Sequence, residues 1–80
     1  MAEDRTMNER IIVDQRIQHG KPVIRGTRVT VARVVGLLAA GESREAVSRE
    51  YGISDEDIGA ALAYAADLIE AEEIHPIPAR

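Results

Sequence analysis

Residues 20–28 read Gly20-Lys21-Pro22-Val23-Ile24-Arg25-Gly26-Thr27-Arg28, GKPVIRGTR. Two glycines, a proline, a Val-Ile pair and three cations stand in one short run. Gly20 takes a positive φ at little steric cost just before Lys21-Pro22. Pro22 fixes its own φ and biases Lys21 away from the helical region. Val23-Ile24 and Val29-Thr30-Val31 are β-rich pieces on either side of Arg25-Gly26-Thr27-Arg28, which reads as a tight β-hairpin. A lone two-stranded hairpin is marginal in water. It needs helices, or a second copy of itself, to cover it. Upstream, Ile11-Ile12-Val13 forms a β-branched run after Arg10, ended by Asp14. It offers a third strand, from the same chain or from a partner subunit.

Downstream the period changes to that of helices. Thr30 is the expected N-cap of a helix over 31–40, with Val31, Val34, Val35 and Leu38 on one face and Leu37 widening it. Gly36 interrupts this helix at a cost of about 1 kcal/mol relative to alanine, so it marks a close helix approach. Gly41 stops it. Ser43 caps a second helix over 44–51, with Ala46, Val47 and Tyr51 inward and Glu45/Arg49 as an exposed i,i+4 pair. Gly52 ends it. Ser54 caps a third helix, with Asp57 in capping-box position. Asp55, Glu56 and Asp57 occupy its first turn, where the helix dipole favours negative charge. Its expected buried stripe is Ile58, Ala61, Leu62, Ala65, Leu68 and Ile69. Ala60, Ala63 and Tyr64 widen the apolar surface, which suits contact with a second subunit as well as burial in its own core.

The expected class is mainly α: a three-helix core of helix-turn-helix shape with a short N-terminal β-hairpin. Residues 10–73 form the single domain. Residues 1–9, polar and acidic, are expected to be a disordered tail, and residues 74–80, with two prolines, a flexible C-terminal tail. Eighty residues with two tyrosines and neither Phe nor Trp build a small aliphatic core, so added area from oligomerisation is expected to matter.

Charge is unevenly placed. The chain carries net −4, yet residues 16–33 hold Arg16, Lys21, Arg25, Arg28 and Arg33 and no acid. Residues 34–80 hold ten acids against three arginines. Such asymmetry points to an electrostatically steered partner, nucleic acid or an acidic protein surface. A solvated surface pairing with the protein's own acidic helices is the plainer account. The five cations are the candidate binding residues. Ile11, Ile12, Val13, Tyr64 and Leu68 are the candidate dimer or partner surface.

Other chemistry finds no foothold. There is no cysteine, hence no disulfide and no thiolate metal site. His19 and His75 are far apart, and no phosphate-binding glycine motif or metal-ligand spacing occurs. No nucleophile stands beside a base held by a third group. No enzyme activity, cofactor or metal is expected. No apolar run spans a membrane, and the N-terminus lacks the layout of a secretory signal, so a cytoplasmic location is expected. Residues 43–61 have helix-turn-helix spacing. Their would-be recognition helix presents Ser54, Asp55, Glu56 and Asp57, however, and carboxylates repel phosphates. Lys21, Arg25, Arg28 and Arg33 are the better candidates for contact with nucleic acid.

Residues 11–66 resemble the family catalogued as domain of unknown function 433, small VapB-like antitoxins of bacteria and archaea. The resemblance rests on Ile12-Val13-Asp14, on GKPVIRGTR with Val29 and Val31, and on Leu38, Ala39 and Gly41-Glu42-Ser43. It continues through Tyr51-Gly52-Ile53-Ser54, Asp57-Ile58, Ala60-Ala61-Leu62 and Tyr64-Ala65. One departure is Gly52, where a Tyr-Pro pair is common. The resemblance implies a homeodomain-like fold, a homodimer, and the antitoxin of a type II toxin–antitoxin pair. Its partner would be a PIN-like ribonuclease toxin encoded next door, and operator DNA would be bound weakly. A stand-alone DNA-binding transcriptional regulator is the alternative.

Overall fold

A computed structural model describes residues 9–71. The expected tails, apart from Glu9, lie outside the described residues. In chain order the elements are β1 (Ile11–Ile12), a short turn (Gln18–Gly20), β2 (Val23–Ile24), α1 (Val31–Ala39), α2 (Arg44–Tyr51) and α3 (Asp55–Ala71). The chain is mainly α with a small antiparallel β pair at its N-terminal side, as expected.

The β pairing differs in detail from the hairpin read from the sequence. β2 pairs with β1 of the same chain, Ile11 opposite Ile24 and Ile12 opposite Val23. The second arm of GKPVIRGTR is reduced to one bridge, Val23 to Thr30, with the Ile24 N–H donating to the Val29 carbonyl at 2.9 Å. The reason is local. The Thr30 hydroxyl accepts from the Arg33 N–H at 3.0 Å, so Thr30 is already the N-cap of α1. Val31, expected to serve a strand as well as a helix, opens the helix.

The other caps also form as read. Ser43 Oγ accepts from the Ala46 N–H at 3.0 Å. Gly52 ends α2 in the left-handed region at φ 66°. The capping box is reciprocal: the Asp57 N–H donates to Ser54 Oγ and the Ser54 N–H to Asp57 Oδ2, each at 3.0 Å. Two satisfied donors and a carboxylate at the helix's positive end fix where α3 starts.

The core is aliphatic. Ile24, Val34, Val47, Ile58 and Ala61 are essentially solvent-free, and Ile11, Val31, Ile53 and Ala60 complete the cluster. α1 and α3 make the main helix contact, α2 packs on both, and β1 leans on α3. The stripe expected along α3 stops early. Leu62 and Ala65 are half-buried, but Leu68 is 47% and Ile69 59% exposed. α1 and α2, at nine and eight residues, are too short to cover a 17-residue helix along its whole length. The expected Glu45–Arg49 pair is not among the ion pairs of the described residues. An exposed pair gains too little to hold two long side chains together.

Asp57 has a second task. Arg10 Nη1 donates to its Oδ1 at 3.0 Å, tying the residue before β1 to the first turn of α3 across 47 positions of sequence. Partial burial pushes the Asp57 carboxyl up, but hydrogen bonds from Ser54 and Arg10 outweigh it, so its pKa lies below 3.8. A depressed carboxylate contributes stability that is present above its unfolded value and is lost as pH falls through its folded value. Asp57→Ala is expected to cost about 1–2 kcal/mol at neutral pH. Urea melts of both proteins, repeated below pH 3.8, should show the difference shrinking. A pH-independent gap would assign Asp57's contribution to something other than its charge.

Candidate functional site

The chain reverses before β2 through an uncommon turn. Gln18 and His19 both hold positive φ, 50° and 58°, and Gly20 follows at 85°. Left-handed backbone at a residue other than glycine is uncommon and costs free energy. Two in succession persist only if their surroundings fix them. Here the Gly20 N–H donates to the Ile17 carbonyl at 3.0 Å and the Lys21 N–H to the Gln18 carbonyl at 3.1 Å. Any side chain at Gly20 would be strained by its φ of 85° and would push the Gln15 amide aside. A Cβ there would sit 2.9 Å from Gln15 Nε2, on top of the positive φ.

This turn organises the cations. Gln18 Nε2 donates to the Arg28 carbonyl at 3.0 Å, latching the far arm of GKPVIRGTR against the turn. Within the loop, Thr27 Oγ1 donates to the Ile24 carbonyl at 2.8 Å and accepts from the Val29 N–H at 2.9 Å. Lys21 and Arg28 thereby reach one cleft of about 450 Å³, joined by Arg33 from the first turn of α1. Gln18, Val29, Thr30 and Tyr51 complete its walls, and no carboxylate of the described residues lines it. The Thr30 cap places the amino end of α1 at this cleft, adding the positive end of a helix dipole.

The five cations expected to bind a partner thus separate. Lys21, Arg28 and Arg33 share the cleft and enter none of the ion pairs of the described residues. Arg16 is occupied. Its Nε and Nη2 donate to the two oxygens of Asp14 at 3.0 and 2.8 Å, and its backbone N–H donates to the same carboxylate. These bonds hold the Asp14 carboxyl down at about 2. Arg25 points elsewhere, with Nε donating to the Glu9 carbonyl at 2.7 Å. Two further arginines secure α3: Arg10 on Asp57, and Arg44 Nε on Asp55 Oδ1 at 2.7 Å. Two of the three acids at the start of α3 are therefore held by the protein's own arginines.

Of the expected dimer surface, Ile11 is 8% exposed and belongs to the core of its own chain. Ile12 and Tyr64 are half-buried, while Val13 and Leu68 are exposed. Gln18, Thr30 and Tyr51 do not stand out in the sequence as site residues. Thr30 is visible there only as a cap. No local pattern announces a left-handed Gln-His pair, and Tyr51 is brought to the cleft by the packing of α2.

The remaining described residues offer little other chemistry. No group of three or more His, Cys, Asp or Glu is placed to hold a metal among them. No described helix is long and apolar enough to cross a membrane.

Comparison with known proteins adds a family. The model of the family described as "Protein of unknown function (DUF433)" matches residues 11–65, which contain the whole cleft. A protein of Mycobacterium tuberculosis (strain ATCC 25618 / H37Rv) named "Putative antitoxin VapB45" is 38% identical over 52 residues. The match takes in 65% of this chain and 22% of that protein. The X-ray crystal structure of Rv2018 from Mycobacterium tuberculosis matches with a TM-score of 0.60 at 38% identity. It covers 65% of this chain and 24% of the other. This chain accordingly spans less than a quarter of the length of both relatives. From β1 through the buried part of α3, the match runs over every element that builds the cleft, and the chain belongs to the DUF433 family.

Proposed function

We propose that this chain is the antitoxin module of a type II toxin–antitoxin pair, a non-enzymatic cytoplasmic protein that binds and neutralises a PIN-like ribonuclease. The observation that carries the reading is its 38% identity over 52 residues to a protein named as an antitoxin, beside a family match whose span contains the cleft. A cleft with three cations and no acid suits a partner that presents carboxylates or phosphates. Such charge complementarity sets encounter rate and partner choice more than raw affinity.

Co-expression tests this. This reading expects the neighbouring gene to encode a small acidic-site nuclease, which is produced together with the chain, purified, and assayed for RNA cleavage. The expected result is a stable complex with suppressed cleavage. Free nuclease activity in the presence of excess chain would remove the antitoxin reading.

A second reading, a DNA-binding transcriptional regulator of helix-turn-helix type, is favoured by the same cations. In that reading the α2–turn–α3 unit acts as scaffold, because Asp55 and Asp57 at the start of α3 are engaged by Arg44 and Arg10. The contact with phosphates falls to Lys21, Arg28 and Arg33. An antitoxin that also binds its operator weakly would use this surface too.

A further inference from the structure

Lys21, Arg28 and Arg33 stand around one cleft of about 450 Å³. Arg10, Arg16 and Arg44 are each spent on a carboxylate, whereas the three cleft cations enter no ion pair among the described residues. Like charges gathered around one concave space repel one another, and folding alone gives no reason to bear that cost. The arrangement suits a compact anion that carries several charges at one point.

Charge narrows the choice of anion. A carboxylate side chain brings one negative charge, and so does each internal phosphate of a nucleic-acid strand. A diphosphate group brings about three at neutral pH, roughly one from its inner phosphate and two from its terminal one. That matches the three cations of the cleft. The guanidinium forks of Arg28 and Arg33 suit pairs of phosphate oxygens, and the Lys21 ammonium adds a point charge.

The rest of the cleft suits what a diphosphate is attached to. Its volume falls in the range of small-ligand sites, about 300–1,000 Å³, and exceeds what phosphate alone fills. Half-buried Tyr51 and Val29 form part of the wall, an aromatic and an aliphatic surface beside the cations. Neither surface serves a carboxylate, or a duplex whose bases are stacked inside it. A free nucleobase has a face that stacks on an aromatic ring. Gln18, also in the wall, donates from its amide nitrogen to the Arg28 carbonyl. Its amide oxygen is an acceptor available to a base or a sugar hydroxyl.

We propose that the cleft binds a free nucleoside diphosphate, with its phosphates among Lys21, Arg28 and Arg33 and its base against Tyr51. Bound nucleotide neutralises the cations that a macromolecule would contact. Nucleotide and macromolecule therefore exclude each other, which makes the chain's binding sensitive to nucleotide concentration. Nucleotide binding rests on the same three cations as the antitoxin reading but needs no nuclease. A chain that suppresses the nuclease and binds no nucleotide would sink the nucleotide site alone.

Calorimetric titration of the full chain at about 0.1 M salt tests it. The probes are metal-free ADP, inorganic pyrophosphate and an oligoadenylate without terminal phosphates. The wild type is expected to bind one ADP per chain, about tenfold more tightly than pyrophosphate and more tightly than the oligoadenylate. Lys21→Ala/Arg28→Ala/Arg33→Ala should weaken ADP and pyrophosphate alike, by about tenfold or more. Tyr51→Leu, which keeps an apolar side chain in place of the ring, should weaken ADP about tenfold and leave pyrophosphate unchanged. Unchanged pyrophosphate binding shows in the same experiment that this variant is folded. Tyr51→Phe should retain both affinities. A wild type that binds no ADP, or binds it no more tightly than pyrophosphate, would overturn the proposal. So would undiminished ADP binding by Tyr51→Leu, and so would a preference for the oligoadenylate, which would assign the cleft to single-stranded nucleic acid.

Discussion

Ile58→Ala is expected to remove about 2–5 kcal/mol of folding stability. The side chain is fully buried among the helices and the β pair. Its loss leaves a cavity in the aliphatic core cluster. Total stability for a chain of this size is roughly 4–12 kcal/mol, so one substitution takes about a sixth of it at the least and all of it at the most. The urea midpoint should fall by on the order of 2 M. Ile69→Ala is the matched control. It deletes the same atoms from a side chain that is 59% exposed, and should change stability by no more than about 0.5 kcal/mol. Equal shifts in the two variants would contradict the division of α3 into a packed and an unpacked half.

That division separates what is written locally in the sequence from what is not. Helix starts are local. Thr30, Ser43 and Ser54 each cap within three residues of themselves, and Gly52 ends α2 by its own left-handed backbone. The apolar period of α3, by contrast, runs on through Leu68 and Ile69 without a sign of where the covering helices stop. Period reports which face would be buried; the lengths of other elements decide how much of it is. The β pairing is non-local in the same way. Both Ile11-Ile12 and Val29-Thr30 are able to pair with Val23-Ile24, and the choice falls to Thr30's commitment as a helix cap.

The candidate site divides along the same line. Arg16 is taken up by Asp14 two residues away, a local pairing that a tally of charge over residues 16–33 passes over. Arg10 finds Asp57 only through the fold. Convergence of Lys21, Arg28 and Arg33 depends on the left-handed Gln18-His19 turn and on Gln18's bond to the Arg28 carbonyl. In the sequence alone, the cations of residues 16–33 are equivalent. The structure sorts them into one arginine that stitches a turn, one held on a carbonyl, and three that face a common space.

This sorting gives the largest expected effect on binding. Lys21→Ala/Arg28→Ala/Arg33→Ala should lower affinity for a short DNA duplex on the order of 100-fold at about 0.1 M salt. Each phosphate that is no longer neutralised keeps its counterions, so the slope of log K against log salt should flatten by about 0.9 for each such phosphate. Arg16→Ala, one of the five cations picked out by sequence, should leave both quantities nearly unchanged, because its charge is already neutralised by the two-point contact with the Asp14 carboxylate. Equal losses in the triple variant and in Arg16→Ala would mean that general charge, rather than the cleft, holds the duplex. A wild type that fails to bind DNA even at low salt would eliminate the regulator reading and leave the cleft to an acidic protein. The same triple variant would then be carried to the nuclease complex, where losing this much charge should slow association more than it speeds dissociation.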